Sequence, residues 1–201
     1  MRKLLFLGSV LAATVITSCS SEPQNVAKKI SDPVFRAYCV STMDRNGDKK
    51  LSLEEVESVS EIAVPNQDIK TLAGLEYFRN LKSLDFAGTN VASFDFTLPA
   101  LEVIKCANNR ELVTLDLTGC PSLSFIYASH TGIRTLPLGT QKGLYRLWVD
   151  HTPLTVLDIS ACPKLNNVNV QDCPNLKELA FSPEVNTGIL YLAKDETLAV
   201  K

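Results

Sequence analysis

His130 and His151 are the only histidines of this 201-residue chain and Trp148 its only tryptophan, and they recur in step with their neighbours. Phe125 and Arg146, Tyr127 and Trp148, and His130 and His151 are each 21 residues apart. If the chain winds through turns of equal length, residues so spaced lie side by side. Phe125, Tyr127, Trp148, Arg146, Asp150 and the two histidines would then share one surface, with large aromatic contact area and a few polar handles, which is the composition of a binding site. Catalysis asks for a nucleophile, base or metal constellation. The sequence has no G-x-S-x-G, no H-E-x-x-H and no phosphate loop. Metal-assisted hydrolysis through His130 and His151 would need acidic ligands. Two stacked histidines without them more often hydrogen-bond along a ladder than hold an ion. The chain therefore reads as no enzyme.

The elements that must position these residues are a repeat. Leu81, Leu101, Leu123, Leu144 and Leu165 follow one another at steps of 20, 22, 21 and 21, and each opens a loose L-x-x-L-x-L pattern: LKSLDF, LEVIKC, LSFIYA, LYRLWV and LNNVNV. A second apolar triplet follows in each unit, as in Val91/Phe94/Phe96 or Leu112/Leu115/Leu117. The alternation at positions four and six predicts a short strand with those side chains inward. No unit of this size buries an apolar face alone, but strands stacked about 4.8 Å apart make one continuous interior. Aligning the opening leucines gives outward columns: Ser83, Val103, Phe125, Arg146 and Asn167 at the third position, and Asp85, Lys105, Tyr127, Trp148 and Asn169 at the fifth. The seventh places Asp150 beside Ser129, and the eighth stacks His130 on His151 with Asp172 next in line.

This pattern resembles the short leucine-rich repeat. The resemblance implies an α/β-type solenoid, a horseshoe with a parallel concave sheet, an irregular convex side and an N-terminal helical cap. With the junction phrase GLEYFRNLKSLD, it is similar to exported bacterial lipoproteins with internalin-like repeats.

The N-terminal stretch MRKLLFLGSVLAATVITSC has a basic pair, an apolar run and small residues before Cys19, a secretory signal layout. The run from Leu4 to Ile16 is too short for a spanning helix of about 20 residues. Ile16-Thr17-Ser18-Cys19 resembles the bacterial lipobox, which implies that Cys19 carries lipid and that the protein sits, lipid-anchored, at the outer membrane or cell surface. The expected organisation is a signal peptide at 1–18, a flexible tether at 19–31, a helical cap at 32–61 and repeats at 62–201. Without Arg2 and Lys3 the chain has 18 basic residues against 22 acidic ones; with no basic stripe, nucleic acid is excluded as a partner.

Five further cysteines remain, Cys39, Cys106, Cys120, Cys162 and Cys173. Cys120 and Cys162 occupy one position of units two apart, so their Cα atoms would be about 9–10 Å apart, beyond disulfide reach. No C-x-x-C spacing supports zinc or redox chemistry. All five are expected as small buried residues.

Between tether and repeats, Asp32 can cap a helix with Pro33 at its first position and Phe35, Tyr38, Cys39 and Met43 on its inner face. A second helix would start near Ser52, with Val56, Val59 and Ile62 inward. The connection, Asp44 to Glu55, resembles a twelve-residue EF-hand loop. That resemblance implies calcium ligands at Asp44, Asn46 and Asp48, a carbonyl from Lys50, Ser52 through water, and bidentate Glu55. Lys49 stands where the pattern has glycine, which costs on the order of 1 kcal/mol in a left-handed conformation and implies weak affinity. The alternative is a turn in which Ser52-x-x-Glu55 is a capping box.

The expected function is a non-catalytic recognition module that binds a protein, peptide or glycan on the sheet and meets the membrane through its lipid. The alternatives are a structural envelope protein with no defined ligand and, for the aromatics, a shield over the sheet without a partner.

Overall fold

Every opening leucine, and the residues three and five beyond it, is withdrawn from solvent: Leu81, Leu84 and Phe86 in one unit, Leu144, Leu147 and Val149 in another. Burying a Leu or Val side chain is worth about 1.5–3 kcal/mol, and this repeated gain drives the winding. The computed structural model describes residues 24–65, 68–181, 190–191 and 199–200. The expected signal peptide, Cys19 and the first residues of the expected tether lie outside them.

Among the described residues twelve short strands result: β1 (Glu61–Ala63), β2 (Ser83–Asp85), β3 (Ser93–Phe94), β4 (Val103–Lys105), β5 (Thr114–Leu115), β6 (Phe125–Tyr127), β7 (Arg146–Trp148), β8 (Val156–Ile159), β9 (Asn167–Asn169), β10 (Glu178–Phe181), β11 (Leu190–Tyr191) and β12 (Ala199–Val200). The main sheet is parallel, in the order β1-β2-β4-β6-β7-β9-β11. Its register pairs Leu84 with Ile104, Ile104 with Ile126, Ile126 with Leu147 and Leu147 with Val168. The residues aligned by the sequence repeat are thus the residues aligned in space.

The returning half of each turn builds the other wall, where β8, β10 and β12 form one parallel sheet and β3 pairs with β5. The break falls in the unit containing Pro137. Asp116 N donates to Phe94 O at 2.8 Å, and 21 residues on from Phe94 and Asp116 the equivalent pair is Leu115 and Pro137, whose nitrogen has no hydrogen to give.

Two helices close the N-terminal end. Helix α1 spans Pro33–Met43, with Phe35, Cys39 and Met43 buried. Its N-cap Asp32 accepts from Val34 N at 2.9 Å and Phe35 N at 3.0 Å through Oδ1, and from Lys70 N at 2.9 Å through Oδ2. One carboxylate therefore caps the helix and ties it to the leading half-unit, the partial repeat marked by Ile62, Val64, Ile69 and Leu72 ahead of Leu81. Burial pushes its pKa up, but the backbone N–H donors of Lys70, Phe35, Val34 and Thr71 together outweigh burial and hold it below the usual carboxylate range.

Two boundaries differ from expectation. Helix α2 is only Leu53–Glu57, with Val56 inward, shorter than its expected inner face; Ile62 lies in β1 opposite Leu84, on the repeat side of the boundary expected at 62, because pairing with the first repeat outweighs a helical period carried by three apolar residues. The expected tether also ends earlier than residue 31. Val26–Lys29 forms a 3-10 turn capped by Asn25, and Val26, Ala27 and Ile30 are buried. Val26 N donates to Leu51 O at 2.7 Å. The three apolar residues cover the seam between the cap and the leading half-unit.

Candidate binding face of the sheet

The outer face of the main sheet carries the third and fifth columns in the expected register: Val103, Phe125, Arg146 and Asn167 in one row, Lys105, Tyr127, Trp148 and Asn169 in the next. Its chemistry changes along the solenoid. The first strands carry charges, with Lys105 Nζ 3.8 Å from Asp85 Oδ2; β6 and β7 carry aromatics; β9 carries amides.

The aromatic section is interlocked. Tyr127 and Trp148 pack edge to face with centroids 5.3 Å apart. The Arg146 guanidinium lies 5.3 Å from the Trp148 ring and 5.9 Å from Phe125, and its Nη1 donates to the Tyr127 hydroxyl at 3.0 Å. Trp148 Nε1 donates to Asn167 Oδ1 at 2.6 Å. Phe125, Tyr127, Arg146, Trp148 and Asp150 are half-buried, and both histidines are exposed. Tyr145, which sequence reasoning did not place in the patch, extends it: its ring meets Phe125 edge to face at 6.3 Å and it is 46% exposed. It occupies the second column, the position from which this extension was readable.

At the strand ends the backbone turns. The eighth column, Gly88, Asn108, His130, His151 and Asp172, has φ between 53° and 69° throughout. This left-handed conformation suits Gly and is tolerated by Asn, Asp and His more than by other residues. Next to it the ninth column forms a buried polar ladder: Thr89, Thr131 and Thr152 hydroxyls donate to Phe86, Ala128 and Val149 carbonyls, and Asn109 Nδ2 donates to Phe86 O. The ladder satisfies carbonyls that the turn would otherwise strand.

The imidazoles of His130 and His151 stack with centroids 4.2 Å apart and planes 25° apart. Contrary to the expectation of histidines without acidic neighbours, His151 Nδ1 is 3.0 Å from Asp150 Oδ2 and its Nε2 is 3.2 Å from Asp172 Oδ2. Asp150 comes from the seventh column, one residue before His151.

The loop from Asp44 to Glu55 has its oxygens engaged. Asp44 accepts from Gly47 N and Lys49 N, Asn46 from Asp48 N, and Asp48 from Lys50 N, at 2.7–2.8 Å. Ser52 and Glu55 form the reciprocal capping box, and Glu55 also accepts from Arg45 N at 2.9 Å. The Ser52 N–H, against the cost of burial, leads the hydrogen bonds that hold Glu55 below its usual pKa. Lys49 sits at φ 62°, the strained conformation expected at the position where the EF-hand pattern has glycine. The donor set fits a hard cation in kind, with short oxygen-bearing side chains on alternate residues. Among the described residues Asp44, Asp48 and Glu55 do not gather their carboxylates within 4.8 Å of one another, so the loop would have to tighten to complete a shell.

Among the described residues the five cysteines, Cys39, Cys106, Cys120, Cys162 and Cys173, are free and buried. Burial raises each thiol pKa, that of Cys39 to about 12 and that of Cys162 to about 11. Gln141 stands between the Cys120 and Cys162 positions, its Nε2 donating to Leu138 O at 2.7 Å and Cys120 O at 3.1 Å.

No protein-family profile matches the sequence, and no curated protein does. Solved structures do resemble it. An internalin of Listeria monocytogenes, InlF, superimposes with a TM-score of 0.53 at 17% identity, over 81% of this chain and 53% of its own. Internalin C2 of the same organism does so with a TM-score of 0.50 at 18% identity, over 90% of this chain and 98% of its own. This chain spans about half the length of the InlF structure. At such identities the likeness is one of fold: the protein is a leucine-rich-repeat-type parallel solenoid of roughly 21-residue turns with helices at its N-terminal end.

Proposed function

We propose that this chain is a non-catalytic recognition module of the bacterial cell envelope, held to the membrane by lipid on Cys19, and that its sheet face binds a protein, peptide or glycan. The observation that carries the reading is the aromatic section of the face. Phe125, Tyr127, Tyr145 and Trp148 are grouped on two adjacent strands and their flank, around one guanidinium. Grouped, accessible aromatics with polar handles supply contact area at low entropic cost, and their mutual packing fixes them before any ligand arrives. The anchor rests on the lipobox resemblance and the signal layout before it. From Cys19 to Gln24 the chain reaches at most about 18 Å, so such an anchor would hold the solenoid close to the membrane. A weak calcium site at Asp44, Asn46, Asp48, Lys50, Ser52 and Glu55 would stiffen the cap that α1 and α2 form.

Trp148 emission tests the reading directly, since it is the only tryptophan. Soluble protein beginning at Ser20 is titrated with envelope glycans, peptidoglycan fragments and surface-protein ectodomains. A saturable change in emission with one ligand class, with capture by calorimetry lost in Trp148→Ala while that variant stays folded, is the expected result. Capture that survives in Trp148→Ala moves the site elsewhere. Uniform wall association with no saturable ligand returns the protein to the structural envelope class.

A further inference from the structure

We infer that His130, His151 and Asp150 form a binding site for a borderline divalent cation of the Zn²⁺ class at the edge of the sheet. The inference is independent of the binding role proposed above and of the N-terminal loop. One ligand atom from each of the three residues lies within 4.8 Å of the others. A tetrahedral ion with bonds of about 2.0 Å sets its ligands about 3.3 Å apart, so closing the set requires the two imidazoles, now stacked at 4.2 Å, to swing out of their stack until both nitrogens face the ion. The pair His151 Nδ1 and Asp150 Oδ2, at 3.0 Å, already has that spacing.

The surroundings position Asp150 and His151. Asp150 Oδ1 accepts from Ser129 Oγ at 2.5 Å and from Asn169 Nδ2 at 3.0 Å, which fixes the carboxylate and leaves Oδ2 turned toward the imidazole. His151 Nε2 faces Asp172 Oδ2 at 3.2 Å. With Nε2 protonated, Asp172 orients the ring and leaves Nδ1 as the ligand atom, the carboxylate-histidine-metal arrangement that commonly backs a ligating histidine. The backbone is fixed too, His130 N donating to Asp150 O and His151 N to Gln171 O, both at 2.9 Å. Both imidazoles are exposed to solvent, which leaves room for a water or an incoming acceptor at the fourth position. Two imidazoles and one carboxylate select a borderline ion over calcium, which prefers oxygen throughout.

The test is titration of the folded chain with Zn²⁺ alone at neutral pH, followed by calorimetry with a competing chelator, and with Co²⁺ followed by visible absorption. The variants are His130→Asn and His151→Asn, because asparagine already holds this left-handed position at Asn108 and the fold is kept. Expected are saturable binding of one ion per chain, tetrahedral Co²⁺ bands without thiolate charge transfer, loss of both in either histidine variant, and affinity about 10–100-fold weaker in Asp172→Asn. Wild-type protein without saturable Zn²⁺ binding overturns the inference. So does binding that both histidine variants retain, or a Co²⁺ spectrum showing thiolate ligation.

Discussion

Replacing Gly74 with alanine tests whether residues 24–31 belong to the folded body. Gly74 has φ 104° and ψ −9°, a conformation that costs alanine about 1–2 kcal/mol. A Cβ there would stand 2.7 Å from Ile30 Cγ1 and 2.9 Å from Ile30 Cα. The side-chain atom can rotate away but the backbone atom cannot, so the N-terminal segment must shift, at about 1–3 kcal/mol for overpacking of this kind. Alanine also stiffens the unfolded chain, which returns about 0.4–1 kcal/mol. The net expectation is a loss of about 2–4 kcal/mol, which lowers the melting temperature by roughly 10 °C in a chain of this size. Gly88→Ala is the control: its φ is 69° but a Cβ would meet nothing within 4 Å, so it bears the conformational cost alone, about 1 kcal/mol. Urea and thermal unfolding of both variants separate the terms. Equal losses in the two would mean that Ile30 does not press on Gly74, and the packed N-terminal segment would be wrong.

Millimolar calcium is expected to raise the melting temperature by mass action, more in Lys49→Gly, which removes both the strain at φ 62° and a nearby charge, and not at all in Asp44→Ala; a wild-type curve indifferent to calcium and EDTA leaves the loop as a capped turn. The buried thiols, with pKa values raised by burial, are expected to resist a thiol-directed disulfide reagent in the native protein and to react only after unfolding in urea. A thiol that reacts at once under native conditions would locate a breach in the solenoid wall.

The period of the leucines was enough to determine the architecture. Because each turn is one strand plus one return and neighbours stack in register, a spacing of about 21 residues in the sequence is a neighbour relation in space, and the Phe125–Arg146–Asn167 and Tyr127–Trp148–Asn169 rows followed directly. The cap of α1 was legible for a local reason as well, since Asp32 and Pro33 act within one turn. The tertiary structure decided what contacts across elements decide. Val26, Ala27 and Ile30 look like a polar tether's stray apolar residues until Leu51 and Gly74 are placed against them. Ile62 fits a helix by period and a strand by partner, and the partner prevailed. Ser129 on one turn, Asp150 and His151 on the next, and Asn169 and Asp172 on the one after assemble a hydrogen-bonded cluster, because a left-handed backbone at each strand end turns adjacent columns toward one another. A repeat read from sequence gives the columns; only the φ of the turning residue says which columns meet.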